Sequence, residues 1–347
     1  MRYELQPLKP EQAAAWDALI APYESAQLFH RRAWLDYLAA SRGVDVRFWS
    51  IDQAGRTIGY FCGGVLRKGP FRILGSPLKG WGSNFMGPVV NADFDQAAFF
   101  EALDDLAADE RLAMLEIENP VLGGHIAAAF EYEGVAQPTY LVELTPGQTD
   151  TMWRRLKSRD QVRKARRNGL TVDDAPDAGF PDEFYNQFVE VLARKGLYPP
   201  YDRRCPQLLI EHLAPAGLLF ALSVRDQAGN VAATALLPHD GKTMYLWGAG
   251  SRIEHWSHCP NDLVQWAAME MAADRGLRLY NMCGYGYFKS KFGGALAQPV
   301  RWHKCFSVSA HLGRRAYQFY FDRRIQARGF CQSAFGGSGA ATETRCK

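Results

Sequence analysis

Apolar positions along the chain follow two periods. Helical spacing governs 10–20, where Trp16, Leu19 and Ile20 share a face, and 31–40, where Trp34, Leu35 and Leu38 form a stripe and Gly43 supplies the stop. Strand-like runs follow at 44–51, 58–66 and 71–74, the first two joined by the turn Asp52-Gln53-Ala54-Gly55. The stretch 75–88 is too rich in Gly and Pro for regular structure. Beyond it a helix is expected over 94–110 and a strand over 112–117. After a linker at 145–150 the order returns: helices at 184–193 and 207–213, strands at 218–225, 231–237 and 243–248, a helix at 262–275 and a strand at 277–280.

Two landmarks set the halves in register. The turn Asp-Gln-Ala-Gly recurs at Asp226, and Ala-Ala-Asp near a helix end occurs from Ala107 and again from Ala272. Shared landmarks in a shared order of elements predict a tandem duplication. The expected division is 1–145, 146–312 and a basic-aromatic extension at 313–347. That extension interleaves Arg314 and Arg315 with Tyr317, Phe319 and their successors, and its aromatics are expected to pack back onto the second domain. Peripheral membrane contact is the other reading of it. The tail from 333, rich in Gly, Ala, Ser and Thr, is expected to be disordered.

Composition narrows the class. In 347 residues, 47% hydrophobic and 13% aromatic content indicates a folded protein large enough for two cores. The 40 basic and 37 acidic residues nearly cancel, so only local clusters of charge are informative. Seven cysteines without a Cys-x-x-Cys pair support neither a disulfide framework nor a zinc site, and the histidine spacings match no metal motif. No apolar run approaches the ~18 residues of a membrane span, and the first ten residues lack a signal-peptide core. A cytoplasmic protein is expected.

Two stretches carry candidate chemistry. Residues 153–169 hold eight basic side chains against Asp160 alone and are expected to form one helix ended by Gly169. The like-charged pairs Arg155 with Arg159, Arg159 with Arg163 and Arg163 with Arg167 weaken such a helix, so either an anionic partner or a solvated face near Asp173 and Asp174 accounts for it. Residues 281–294 follow the last strand and combine glycines, aromatics and two lysines, which suits the wall of a site better than a core. Walker, dinucleotide and nucleophile-elbow motifs are absent. Trp247, Gly248 and Gly250 stand at a strand end ahead of a helix, where glycine lets backbone approach a ligand closely.

The order of elements, the basic run through Lys157, Arg159, Arg163 and Gly169, and the closing Phe288-Lys289-Ser290-Lys291-Phe292-Gly293-Gly294 resemble the FemAB-like and CelD-like branch of the GNAT acyltransferase superfamily. The resemblance spans 29–306 and is strongest over 153–294. It implies an α/β (α+β) fold of two tandem GNAT-like domains, each a mixed sheet flanked by helices. It implies transfer of an acyl group from acyl-CoA to an amine on a cell-envelope sugar or related precursor, as in polysaccharide biosynthesis, at the inner face of the membrane. The family's Phe-Lys pair maps onto Phe288 and Lys289, with Lys289 stabilising a negative tetrahedral intermediate. Phe288, Tyr285, Tyr287, Arg159, Arg163 and Lys157 are the expected substrate contacts, toward a nucleotide- or lipid-linked acceptor. Two family features are missing: the helical-hairpin arm of several Fem ligases, and the Gln/Arg-x-x-Gly-x-Gly/Ala pyrophosphate loop. The nearest match to that loop, Arg166-x-x-Gly169-x-Thr171, closes a helix. Two other readings stand beside acyl-CoA transfer: an aminoacyl-tRNA-dependent ligase acting on a peptidoglycan precursor, and a non-catalytic twin module binding an anionic glycan precursor or RNA.

Overall fold

The tetrapeptide Asp-Gln-Ala-Gly makes a tight hairpin twice, and the rest of the architecture repeats around it. The computed structural model describes residues 2–319 apart from 195 and 198. The first half runs β1 (Glu4–Pro7), α1 (Pro10–Ala14), α2 (Trp16–Ile20), α3 (Arg32–Arg42), β2 (Asp45–Gln53), β3 (Arg56–Lys68), β4 (Phe71–Ser76), β5 (Gly87–Val90), α4 (Gln96–Asp109), β6 (Met114–Glu118), α5 (Gly124–Ala129), β7 (Glu133–Ala136) and β8 (Thr139–Glu143). The second runs α6 (Thr149–Arg155), α7 (Arg159–Arg167), β9 (Thr171–Asp173), α8 (Phe180–Arg194), α9 (Arg204–Leu213), β10 (Leu219–Arg225), β11 (Val231–Pro238), β12 (Thr243–Tyr245), β13 (Gly248–Ser251), α10 (Pro260–Asp274), β14 (Leu279–Asn281), α11 (Tyr287–Ser290), β15 (Ala295–Ala297) and β16 (Val300–Cys305).

Local chemistry explains most ends. Gly43 closes α3 in the left-handed conformation, and Asp95 caps α4 by accepting from the Ala97 and Ala98 amides. Both Ala-Ala-Asp triplets lie at the C-termini of equivalent helices, α4 and α10, with Ala107 and Ala272 buried. In each half a hairpin (β2–β3, β10–β11) leads to a parallel strand pair, but only in the second half does the strand divide, because β4 pairs with both β3 and β6. β4 runs parallel to β6 while β5 pairs with β3; β12 runs parallel to β14 while β13 pairs with β11. The strand expected over 243–248 is therefore two strands broken at Leu246 and Trp247, and the second sheet splays there.

A division at 145/146 does not describe the sheets, because the halves exchange strands. β8, from the first half, lies between β14 and β15; β16, from the second, lies between β6 and β7. The halves also share a core, in which Phe29 meets Tyr245 (ring centroids 4.6 Å apart) and α3 packs on α9. The extension also departs from expectation. Residues 308–319 are helical and touch the first sheet, with Gly313 on Phe71 and Lys68 over the Tyr317 ring at 5.0 Å. The expected disordered tail falls outside the described residues.

Gly248 and Gly250 admit α8 against β13. A Cβ at Gly250 would stand 2.7 Å from Gln187 Cβ and 2.9 Å from its carbonyl carbon, and one at Gly248 would meet Phe184 at 2.7 Å. Gly250→Ala is expected to destabilise the fold by about 1–3 kcal/mol through overpacking, read as a lowered midpoint in urea with unchanged slope.

Candidate active site

β14 delivers Asn281, Met282 and Cys283 to the splay in the second sheet, where the chain turns through positive φ at Cys283 (50°), Gly284 (139°) and Gly286 (136°). The two glycine values belong to backbone that other residues rarely adopt. The exchanged strand β8 pins this turn. Met282 N donates to Tyr140 O (3.0 Å), Tyr140 N to Gly284 O (3.1 Å), and Gly284 N to Thr139 Oγ1 (3.0 Å). Asn281 Oδ1 accepts from Thr139 Oγ1 (2.7 Å) and from Cys283 N (2.8 Å).

Half-buried Lys289, in α11, reaches back to this turn. Its ammonium donates to Met282 O (2.6 Å) and Cys283 O (3.2 Å), so the charge is fixed at the end of β14. Phe288 packs edge-on against Phe292 at 5.2 Å, whereas Tyr285 and Tyr287 are 68% and 84% exposed and line the outside.

The basic run and the Phe-Lys segment meet in space. The run is two helices, not one. Leu156 is extended and fully buried, and Lys157 N donates to Lys291 O (2.7 Å), a bond to another segment in place of a helical one. Gly293 packs on Arg155, whose carbonyl oxygen would lie 3.0 Å from an added Cβ. Arg159 Nη1 caps the end of α6 through Arg154 O (2.5 Å), and Arg163 pairs with Asp160 (3.1 Å) while lying over the Trp153 ring at 5.4 Å. These arginines answer the dipole and rings of α6, which lowers the repulsion the sequence implies. Trp247 follows Leu246, whose N donates to Asn281 O (2.9 Å) at the end of β14, and its ring stacks with Tyr201 (4.5 Å) and Phe184 (5.8 Å).

Several polar residues near the turn were not singled out by sequence reasoning. Asn84 Nδ2 donates to Cys283 Sγ (3.4 Å). Glu118, 1% exposed, is bound by Arg301 Nε (2.7 Å) and Nη2 (2.6 Å); burial pushes its carboxyl up and Arg301 opposes that. Burial raises the Cys283 thiol to about 11 despite Lys289 nearby. At neutral pH only on the order of one molecule in ten thousand would then carry the thiolate, which disfavours Cys283 as a nucleophile. Alkylation by iodoacetamide, read by mass spectrometry of the Cys283 peptide, is expected to be negligible at pH 7.5 and to appear only on unfolding.

An eight-stranded mixed sheet in the first half, and in the second two four-stranded sheets that part between β12 and β13 with the lysine turn at the opening, make a duplicated GNAT fold. Residues 154–290 match the family model described as an acetyltransferase (GNAT) domain. Among solved structures, FemX is similar over 92% of this chain and 99% of its own at 14% identity, with a TM-score of 0.69. A tandem GNAT protein from the clavulanic acid biosynthesis pathway covers 88% of this chain and 98% of its own (13% identity, TM-score 0.51). The C-terminal domain of a lysylphosphatidylglycerol synthetase from Agrobacterium fabrum covers 88% and 95% (14% identity, TM-score 0.54). No curated protein matches the chain. Among the described residues no helix is long and apolar enough to cross a membrane.

Proposed function

We propose that the chain is an N-acyltransferase of the FemAB/CelD branch, moving an acyl group from acyl-CoA to an amine on a cell-envelope sugar or related precursor at the inner face of the membrane. The observation that carries this reading is the Lys289 ammonium held on the Met282 and Cys283 carbonyls at the end of β14. An amine attacks the thioester carbonyl directly: the C–N bond forms, the C–S bond breaks, and the amine's proton ends on the departing CoA thiolate, giving amide and free CoA. Lys289 faces the charge developing on the carbonyl oxygen, Phe288, Tyr285 and Tyr287 shape the acyl side, and Lys157, Arg159 and Arg163 draw in an anionic acceptor. The acyl donor meets the chain at Trp247, Gly248 and Gly250, where β13 begins.

The second reading, transfer from an aminoacyl-tRNA, is favoured by one observation. The first turn of α10, which follows the splayed strand, presents the buried carboxylate of Asp262 where a pyrophosphate would need amides alone. Thermal-shift titration separates the readings, since a ligand bound only by the folded state raises its stability. Acetyl-CoA or longer acyl-CoAs are expected to raise the midpoint. Stabilisation by charged tRNA and by no CoA ester overturns the first reading in favour of the second.

A further inference from the structure

Helix 308–319 follows β16 and divides its faces sharply. Ser307 caps it, with its Oγ accepting from Ala310 N (3.2 Å), and one face is then tied to the first sheet. Ala310 is 6% exposed, Gly313 lies on Phe71, Arg314 stands 3.6 Å from Glu116, and Tyr317 lies under Lys68. Val308, Leu312 and Phe319 recur at the helical spacing of four and seven, which puts them together on the opposite face. They are 78%, 60% and 62% exposed. Holding large apolar side chains in water gains a fold nothing. A row of them on one face, unlike single ones scattered over a surface, marks a contact surface.

The charge around this row decides what it meets. Arg315, seven residues after Val308, is exposed on the same face. Its apolar stem can lie along the row while its guanidinium reaches past it. The stretch 307–330 carries five arginines (Arg314, Arg315, Arg323, Arg324 and Arg328) against Asp322 alone, whereas the whole chain is only +3. A second copy of this chain would set like charges face to face across the row, which opposes a homodimer there. Nucleic acid would answer the arginines, but Val308 and Leu312 offer no ring for a base to stack on. An anionic bilayer answers both features, because its headgroup phosphates take the arginines and its acyl boundary takes the apolar row.

We propose that helix 308–319 lies in the surface of an anionic membrane, with Val308, Leu312 and Phe319 in the acyl boundary and Arg315 on the lipid phosphates. The assignment deepens the reading of an enzyme working at the inner face of the membrane, and it rests on that reading. β16 carries the constraint to the site, because Arg301 near its start binds Glu118 and reaches Ser83 O (3.5 Å), next to Asn84 on Cys283. A helix held in the bilayer surface thereby fixes how the Lys289 turn is presented to a lipid-linked acceptor.

Co-sedimentation of the full chain with vesicles tests this without turnover, so its failure is distinct from a failure of the acyltransferase reading, which the thermal shift with CoA esters reads separately. The probes are vesicles of phosphatidylcholine alone and of phosphatidylcholine with about 30% phosphatidylglycerol. Binding is expected to be at least about tenfold tighter to the anionic vesicles, and to weaken as salt is raised. Leu312→Glu and Arg315→Glu are each expected to weaken it by about tenfold or more with an unchanged urea midpoint, since both side chains are exposed. Val308→Glu, in the first turn where an acid suits the helix, carries the test if Leu312→Glu lowers that midpoint. The proposal is overturned by no binding at about 1 mM lipid, or by equal binding to both kinds of vesicle. It is overturned equally by vesicle binding that Leu312→Glu and Val308→Glu leave unchanged, by a lipid-free dimer that Leu312→Glu dissociates, or by tRNA binding that these substitutions abolish while vesicle binding stays.

Discussion

Lys289→Met is expected to lower kcat/KM for acyl transfer by about 10²–10³, with most of the loss in kcat, because a fixed cation facing a developing oxyanion acts mainly in the transition state. The same change removes two charge-assisted hydrogen bonds, from Nζ to Met282 O and Cys283 O, that hold a turn running through positive φ. A stability loss of about 1.5–3 kcal/mol should accompany the loss of turnover. Lys289→Arg separates the two effects. It keeps the charge, but its planar fork cannot occupy the place of a compact ammonium between two carbonyls. It should therefore restore part of the stability and little of the rate. Steady-state kinetics with the donor and acceptor found by thermal shift, alongside urea unfolding, reads both quantities. Full turnover by Lys289→Met would refute the role assigned to this residue.

The largest stability effect is expected at Arg301. Its guanidinium, 7% exposed, binds Glu118 through two nitrogens and stands 3.6 Å from Glu116, itself 5% exposed. Burying this group costs desolvation that its partners offset, so removing one side exposes the cost of the other. Arg301→Met should destabilise by about 3–5 kcal/mol, whereas Glu118→Gln combined with Arg301→Met should recover part of that, since the remaining group no longer has to bear a buried charge. Denaturant unfolding of the two single variants and the double variant checks this. Equal loss in Arg301→Met and the double variant would mean that packing, not charge, is what Arg301 supplies.

The repeat was legible because its signals are local. Asp-Gln-Ala-Gly turns, a glycine just past a helix, and Ala-Ala-Asp at helix ends act within a few residues of chain. Phe288 and Lys289 were legible through resemblance, but the carbonyls that Lys289 holds lie at Met282 and Cys283, across a turn whose closure no periodicity reveals. Asp262 reads as an ordinary acid in the first turn of a helix, which the dipole favours. Only its burial and its pairing with Lys291, 29 residues on, mark it out. β16 escaped recognition for a related reason. It carries Arg301, His303 and Lys304, and this polarity suits a buried strand only because β6 sets Glu118 opposite Arg301 and Glu116 opposite His303.

Taken alone, the sequence determined the duplicated α/β plan, the helix and hairpin ends and the segment that bears Lys289, because nearest-neighbour sterics, capping and hydrophobic period fix these. The tertiary structure decided which half each late strand joins. β8 lies beside β14 and β16 beside β6, and these pairings set Thr139 under the Lys289 turn and Arg301 on Glu118. Such contacts join residues more than a hundred positions apart, and their free energy comes from burying and pairing groups whose partners the local sequence does not contain.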